Sequence, residues 1–329
     1  MAKTILNNKY IQYGLMTSLI LGALVCIYPP QHFFFKSMAE FALQIMFGYL
    51  FLALLLLILK QPRLMFTSLI ACSILAIHLK INTNLDLKIS QPTENQTIID
   101  IALINISNIN EDPDGAIEAM LTSEACILSI PNIDPIVYEF LRDTLSEKFP
   151  YSTARIGFDP GIAVFSKFEI NNQDTFFVEN LPNIVGSIKP DGQDQELFFI
   201  SSTTLPPFYT KDYDRLKKQL NRIAEKASAI NAPILTLADY NLVQWSDEIH
   251  DFRTKAGLKD SRRGFSPAAA GGNVFGSFFE SPRDHIFFSE HFKCIGFQNL
   301  ESSSSHHLGI KGSFQFNPIP TTTSAAAVQ

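Results

Sequence analysis

The clearest candidates for chemistry are polar side chains at the boundaries of apolar segments. Asp239 and Asn241 follow the apolar run Pro233–Leu237. Residues two apart on a strand project to the same side, so this carboxylate and this amide could share a hard metal ion or position a water molecule. Asp and Asn are also common turn residues at strand ends, and that simpler interpretation stays open.

Two further candidates involve histidine. Asp284 and His285 begin the apolar stretch DHIFFS, and His306–His307 follow four serines at 302–305. A carboxylate that orients an imidazole is a recurrent acid–base arrangement. A histidine pair in a polar loop can equally be a surface feature without a role in chemistry.

The segments that must position these residues alternate between strand and helix patterns. Short apolar runs predict strands, and longer runs with helical spacing or an N-cap predict helices. We therefore expect an α/β fold of two packed sheets with helices outside. The predicted strands are Thr97–Ile106, Ala125–Ile130, Gly161–Phe165, two strands around the Pro190–Gly192 turn within residues 174–201, Pro233–Leu237, His285–Ser289, Phe292–Phe297 and Lys311–Phe316. The predicted helices are Pro113–Leu121, Asp134–Lys148, Tyr213–Ile230 and Ser246–Ala256.

Three apolar segments precede this α/β region, at Tyr13–Tyr28, Phe41–Leu59 and Leu64–Leu79. Each approaches the roughly 20 residues that cross a bilayer as a helix. No small-residue cleavage site precedes Pro29–Pro30, which favours a retained helix over a removed signal peptide. The sequence predicts four units: a membrane anchor at 1–80, a polar linker at 81–96, an α/β domain at 97–317 and a disordered tail at 318–329.

Basic residues predict the orientation of the anchor. Lys3 and Lys9 precede the first apolar segment, and Lys60 and Arg63 separate the second from the third, whereas the other loop carries only Lys36. By the positive-inside rule the N-terminus faces the cytoplasm, so three crossings place the α/β domain on the other side. We expect a bacterial inner-membrane protein with a periplasmic domain.

Composition limits the partners. The net charge is −6, and tight non-specific binding to duplex DNA needs clustered basic residues, which argues against nucleic acid. The four cysteines show no CxxC spacing. Buried thiols are the expected state, and a Cys126–Cys294 disulfide stays open as an alternative.

Several of these segments together resemble the endonuclease/exonuclease/phosphatase superfamily, which has the DNase I-like fold. The resemblance covers about Thr97 to Phe316 and is carried by GIAVFSK at 161–167, ADYNLVQWS at 238–246, AGLKDSRR at 256–263 and DHIFFS at 284–289. It implies a four-layer α/β sandwich. It also implies hydrolysis of phosphodiester or phosphomonoester bonds with Mg²⁺ or Mn²⁺.

The resemblance assigns roles position by position. Asn105 matches the asparagine that lines the metal site at the end of the first strand. Asp239 and Asn241 match the pair that activates water and contacts phosphate. Asp284 matches the aspartate that orients the essential histidine, and His307 matches that histidine.

The departures from the family pattern are more informative. Ile130 stands where the metal-binding glutamate is expected, Thr204 where a phosphate-contacting histidine is expected, and His306 where a metal-side aspartate is expected. Isoleucine offers no oxygen to a hard cation. These changes favour a binding or scaffolding protein without a bound cofactor, whose partners would be the lipid bilayer and envelope proteins.

The alternative is an active hydrolase with a rearranged site. His306, Asp239 and Asn105 could then hold Mn²⁺ or Zn²⁺, or a nearby acid such as Glu124 could replace the missing glutamate. Its substrate would be a phosphorylated small molecule or lipid.

Overall fold

The computed structural model describes residues 8–83, 87–94, 96–106, 112–157, 160–193, 195–262, 283–301 and 308–317. His306, His307 and the predicted tail lie outside these residues. Within them the chain forms an N-terminal helical segment followed by two six-stranded sheets with helices on their outer faces.

The helical segment contains α1 (Lys9–Ile27), α2 (Phe33–Glu40), α3 (Ala42–Ile58) and α4 (Pro62–Asn82). Helices α1 and α4 are each long and apolar enough to cross a membrane, and a third span results if α2 and α3, which meet at a 69° bend, count as one. The described helices thus provide two or three of the three predicted spans. Helix α4 also extends into the start of the predicted linker.

Polar contacts tie these helices together. The Tyr49 hydroxyl donates to the Leu19 carbonyl at 2.9 Å, and the Ser68 hydroxyl donates to the Tyr49 carbonyl at 2.7 Å. A Cβ at Gly22 would lie 2.6 Å from the Tyr49 hydroxyl, so the missing side chain admits the tyrosine. Small residues and hydroxyl bonds of this kind are typical of helix packing inside membranes.

The first sheet has the strand order β11-β12-β1-β2-β4-β3. Its only parallel pair among the described strands is β1 with β2. The strands are β1 (Ile99–Ile104), β2 (Ile127–Pro131), β3 (Tyr151–Arg155), β4 (Ile162–Ser166), β11 (Phe292–Leu300) and β12 (Gly309–Phe316).

The second sheet repeats this plan with the order β5-β6-β7-β8-β10-β9, and its parallel pair is β7 with β8. The strands are β5 (Asn171–Val178), β6 (Leu181–Ile188), β7 (Leu197–Ser202), β8 (Ile234–Asp239), β9 (Lys259–Asp260) and β10 (Asp284–Phe288).

The predicted four layers are confirmed. An apolar core between the sheets includes Ile101, Leu237 and Phe314. A second cluster packs α5 (Pro113–Thr122) and α6 (Pro135–Leu145) on the outer face of the first sheet. A third packs α7 (Thr210–Ala229) and α8 (Asp247–Ala256) on the outer face of the second.

Side-chain caps begin two of the predicted helices: Asp134 is the N-cap expected from the sequence, and Ser246 is a second one that the structure adds. The Asp134 carboxylate accepts from the Val137 amide at 2.9 Å, and the Ser246 hydroxyl accepts from the Ile249 amide at 3.3 Å. The prediction of two strands in 174–201 was short by one, because β5 turns into β6 at Glu179–Asn180, whose φ angles of 47° and 74° make the reversal. Strands β3 and β9 were also missed, since both are short and polar.

Candidate functional site

The candidate site lies where β8 and β10 meet at one end of the second sheet. Asp239 pairs directly with Asp284 in antiparallel register. Both belong to the rows of side chains that face the first sheet, since Leu237 and Ile286 in the same rows lie in the core between the sheets. Two carboxylates therefore stand side by side where the apolar rows end.

This placement changes the acidity of Asp239. Burial, and next the charge of Asp284, raise its pKa to about 7, against an opposing hydrogen bond from the Asn241 amide at 3.0 Å. Like charges at close range disfavour the doubly ionised state. At neutral pH the Asp239 carboxyl is therefore poised between its protonated and ionised forms.

Thr204 links the ends of β7 and β8. Its hydroxyl donates to the Asp239 carbonyl and accepts from the Asn241 side-chain amide at 3.0 Å. Asn241 has a φ of 53°, a left-handed conformation that asparagine tolerates better than most residues. The hydroxyl at the position expected for a phosphate-contacting histidine is therefore engaged in holding the loop that carries Asn241.

His285 is a buried structural residue on the other face of β10. Its Nδ1 lies 3.1 Å from an Asp260 carboxylate oxygen, its Nε2 lies 2.9 Å from the Leu242 carbonyl, and its ring stacks on Phe287 at 5.1 Å. The imidazole is thus oriented by Asp260 and not by Asp284, which projects to the opposite side of the strand.

Sequence reasoning did not single out Asp260. Burial by itself raises its pKa, but the hydrogen bond and charge of His285, with help from Arg262, outweigh burial and hold the pKa below its usual value. Asp260 falls within AGLKDSRR, one of the segments that carried the resemblance, so the sequence did contain a signal that could have identified it.

The first sheet contributes little polar chemistry to the same end. Ile130 lies in the apolar cluster beneath α5 and α6, away from the gap between the sheets. Along β2 the row that faces the gap holds Ser129, whose hydroxyl lies 2.6 Å from that of Ser201, and then Pro131. Neither Ile130 nor Pro131 presents a metal ligand.

Two other predicted ligands are also placed. Asn105 follows β1, half-buried, and its backbone amide donates to the Leu308 carbonyl at 2.7 Å. Glu124 lies before the start of β2, at the opposite end of that strand from Pro131. It is exposed and lies 3.4 Å from Lys148 and 3.9 Å from Lys167. Glu124 does not replace the missing glutamate.

The donor set can be tested against a metal ion. Among the residues that the structure describes, no three His, Cys, Asp or Glu side chains are grouped so that they could hold one. His306 and His307 lie outside the described residues. The described donors, Asp239, Asp284 and Asn105, do not by themselves match the Mg²⁺ site that the resemblance implies.

All four cysteines are free thiols. Cys294 is buried in the core between the sheets, and its Sγ lies 3.4 Å from the Gly296 carbonyl. Burial raises its pKa to about 11. The thiols are unpaired as expected, and the Cys126–Cys294 disulfide is not formed, but only Cys26 and Cys294 are buried, whereas Cys72 and Cys126 are half-buried.

The site end of the second sheet is in contact with the N-terminal helical segment. The Arg283 guanidinium, one residue before Asp284, pairs with Glu40 at 2.7 Å. Lys36 and Glu248 form a buried ion pair at 2.6 Å. Trp245 donates from Nε1 to the Ala39 carbonyl at 3.0 Å, and its ring packs among helical-segment residues.

These contacts were not predicted. The sequence signal for them is the pair Lys36 and Glu40, four residues apart on α2 within the otherwise apolar FFFKSMAE. Their partners are more than 200 residues away in sequence, so no local pattern could identify them.

Comparison with known proteins supports the fold. No protein-family model and no curated protein sequence matches the chain. Solved structures do match, and they are consistently endonuclease/exonuclease/phosphatase proteins.

Three of these structures illustrate the similarity. The protein from Bacteroides vulgatus is 13% identical with a TM-score of 0.56, covering 68% of this chain and 100% of its own. The protein from Beutenbergia cavernae is 12% identical with a TM-score of 0.56, covering 68% and 73%. The human Nocturnin catalytic domain, solved with bound sulfate, is 14% identical with a TM-score of 0.52, covering 69% and 100%. The α/β domain therefore has the DNase I-like fold, preceded by helices apolar enough to span a membrane.

Proposed function

We propose that this protein is a membrane-anchored member of the DNase I-like fold whose domain binds or scaffolds and does not hydrolyse phosphate esters. The observation that carries the proposal is that strand β2 of the first sheet has no metal-binding side chain at the end nearest the site. Where the family pattern has a metal-binding glutamate, Ile130 packs beneath two helices and the adjacent gap-facing position is Pro131.

The polar residues that remain at the site have structural partners. Asp239 accepts from the Asn241 amide, Asn241 donates to Thr204, and Arg283 beside Asp284 pairs with Glu40 of α2. Each contact holds a loop or joins the domain to the helical segment. Asp239, Asn241 and Arg283 thus have structural contacts that need no catalysis.

The proposed setting is a bacterial inner membrane with the domain on the periplasmic side. It follows from the apolar helices and the distribution of basic residues around them. The partners on this proposal are the bilayer and envelope proteins, and the acidic net charge argues against nucleic acid.

The alternative function is an active metal-dependent phosphodiesterase or phosphatase with a rearranged site. One observation favours it: Asp239 has a pKa raised to about 7 beside Asp284, which suits a group that exchanges a proton at neutral pH. Mn²⁺ or Zn²⁺ held with His306, or Mg²⁺ in the family manner, would then be the cofactor.

Calorimetry on the full chain in lipid nanodiscs separates the two functions. Mg²⁺, Mn²⁺ and Zn²⁺ are titrated in turn, and hydrolysis of bis-p-nitrophenyl phosphate is followed in the same samples. The proposal predicts no saturable heat and no turnover. Asp239→Ala and His307→Ala serve as matched variants.

A positive result has a defined meaning. Saturable binding with turnover that both variants abolish establishes the rearranged enzyme and overturns the proposal. Because hydrolysis by a contaminant would survive both substitutions, the variants also exclude that source.

A further inference from the structure

The loop between β7 and α7, residues 205–209 with the sequence LPPFY, carries two exposed aromatic side chains. Phe208 is 60% exposed and Tyr209 is 66% exposed. Neither ring belongs to the apolar clusters on the two faces of the second sheet.

The exposure of these rings does not come from a loose backbone. The Asp212 carboxylate accepts from the Phe208 amide at 3.1 Å and from the Tyr209 amide at 2.9 Å. Pro206 and Pro207 restrict the preceding residues. The rings are therefore presented outward by a fixed loop at the start of α7.

The loop lies next to the helical segment at the level where α1 ends. Thr210, which follows it, donates from its hydroxyl to the Gln31 carbonyl at 3.3 Å. Gln31 lies between Tyr28, which is 76% exposed, and Phe33 and Phe34, which are 39% and 58% exposed. Aromatic side chains from two distant parts of the sequence thus surround one point of contact.

Aromatic residues gather at the boundary between hydrocarbon and headgroups, because an amphipathic ring is stable there. The turn after α1 must lie at that boundary if α1 crosses the bilayer. Lys211 adds a cation beside the Tyr209 ring, with its Nζ 5.7 Å from the ring centroid, where lipid phosphates would be its neighbours.

We propose that loop 205–209 is a second membrane contact of this protein: Phe208 and Tyr209 enter the interfacial layer of the bilayer that holds the N-terminal helices. The inference rests on the proposed membrane anchoring and is independent of whether the domain hydrolyses anything. Thr204, which holds Asn241, lies four residues before Phe208, so the contact places the candidate site at headgroup level.

Quenching of tryptophan fluorescence by brominated lipid tests this contact. Phe208→Trp and Tyr209→Trp are made separately in the full chain, which is reconstituted into vesicles of phosphatidylcholine brominated near the headgroup end of its acyl chains. Trp245 is the only native tryptophan, so its signal in the parent protein is subtracted.

Two further variants calibrate the result. Tyr151→Trp is the negative control, because Tyr151 is 42% exposed and lies far from the site. It pairs with Ser166 of β4, which in turn pairs with Ile127 at the start of β2, so it lies at the end of the first sheet away from the site. Phe51→Trp is the positive control, on the exposed face of α3. If Phe51→Trp is unquenched, the proposed anchoring itself is wrong.

With Phe51→Trp quenched, we compare the fraction of the added emission that bromolipid removes. We expect this fraction at position 208 or 209 to be at least about twice the fraction at position 151. Quenching at both positions no greater than at position 151 would overturn the proposed contact while leaving the anchoring intact.

Discussion

The two sheets share one plan but differ at the site end. Each is six-stranded and built around one parallel pair, β1–β2 in the first and β7–β8 in the second. The second sheet ends in Asp239, Asn241 and Asp284, whereas β2 of the first ends in Ile130 and Pro131. The first sheet supplies Asn105 and Ser129 near this end, but β2 offers no carboxylate there.

The second sheet is also the one that contacts the helical segment. Three residues close in sequence to its site residues contact α2: Arg283, Trp245 and Glu248. The comparison teaches that the polar end of the second sheet lies beside the contacts that join the two parts of the molecule. At the equivalent end of the first sheet, β2 presents Ile130 and Pro131 and makes none of these contacts with the helical segment.

The largest effect is expected from an attempt to restore the missing ligand. Ile130→Glu would place a carboxylate in the apolar cluster beneath α5 and α6, and we expect it to lower the free energy of unfolding by about 4 kcal/mol. Denaturant unfolding of the full chain in nanodiscs measures this. Ile130→Leu, which keeps volume, is the control; a stable Ile130→Glu variant that gains Mn²⁺ affinity would contradict the placement.

The next effect concerns the joint between domain and helical segment. Glu248→Ala leaves Lys36 buried without a counter-charge, which costs roughly 3 kcal/mol at this contact. We expect the emission of Trp245 to shift to longer wavelength as the joint opens. Glu225→Ala, which breaks the exposed pair with Lys255, is the matched control and should leave the spectrum unchanged.

The pH dependence of stability tests the paired carboxylates of the second sheet. Because the pKa of Asp239 is raised to about 7, its contribution is fully present below the ordinary carboxyl pKa and is lost as pH rises through about 7. The free energy of unfolding is expected to fall by at most about 4 kcal/mol. Asp239→Asn should remove this slope in thermal unfolding followed across pH. Identical slopes in the two proteins would show that the pair does not share a proton.

The smallest effect is expected at the link between β7 and β8. Thr204→Val removes the hydroxyl that bridges Asn241 and the Asp239 carbonyl, at a cost of about 1–2 kcal/mol. Thr204→Ser keeps the hydroxyl and should retain most of the stability. A Thr204→Val variant as stable as the parent protein would contradict the bridge.

Much of the fold was predictable because its signals are local. The caps Asp134 and Ser246, the amphipathic helix after residue 210 and the apolar strands each depend on neighbouring residues. Strand β3 was missed because its residues are partly exposed, which weakens the apolar pattern that predicts a strand.

The site was predictable in part. The sequence placed Asp239 and Asn241 at the end of one strand and Asp284 at the start of another. The face on which Ile130 lies depends on the register of β2 within its sheet, which no local pattern gives. The partner of His285 was also hidden, since Asp260 is 25 residues away. Contacts such as Lys36 with Glu248 are set by tertiary packing alone.

The emission of Trp245 in the native protein tests the central claim most directly, which is that the site end of the second sheet is joined to the N-terminal helical segment. Trp245 is the only tryptophan and is 3% exposed, with its shielding supplied largely by the helical segment. The account predicts emission at short wavelength that acrylamide quenches poorly in nanodiscs. Long-wavelength emission that acrylamide quenches readily would contradict the joint.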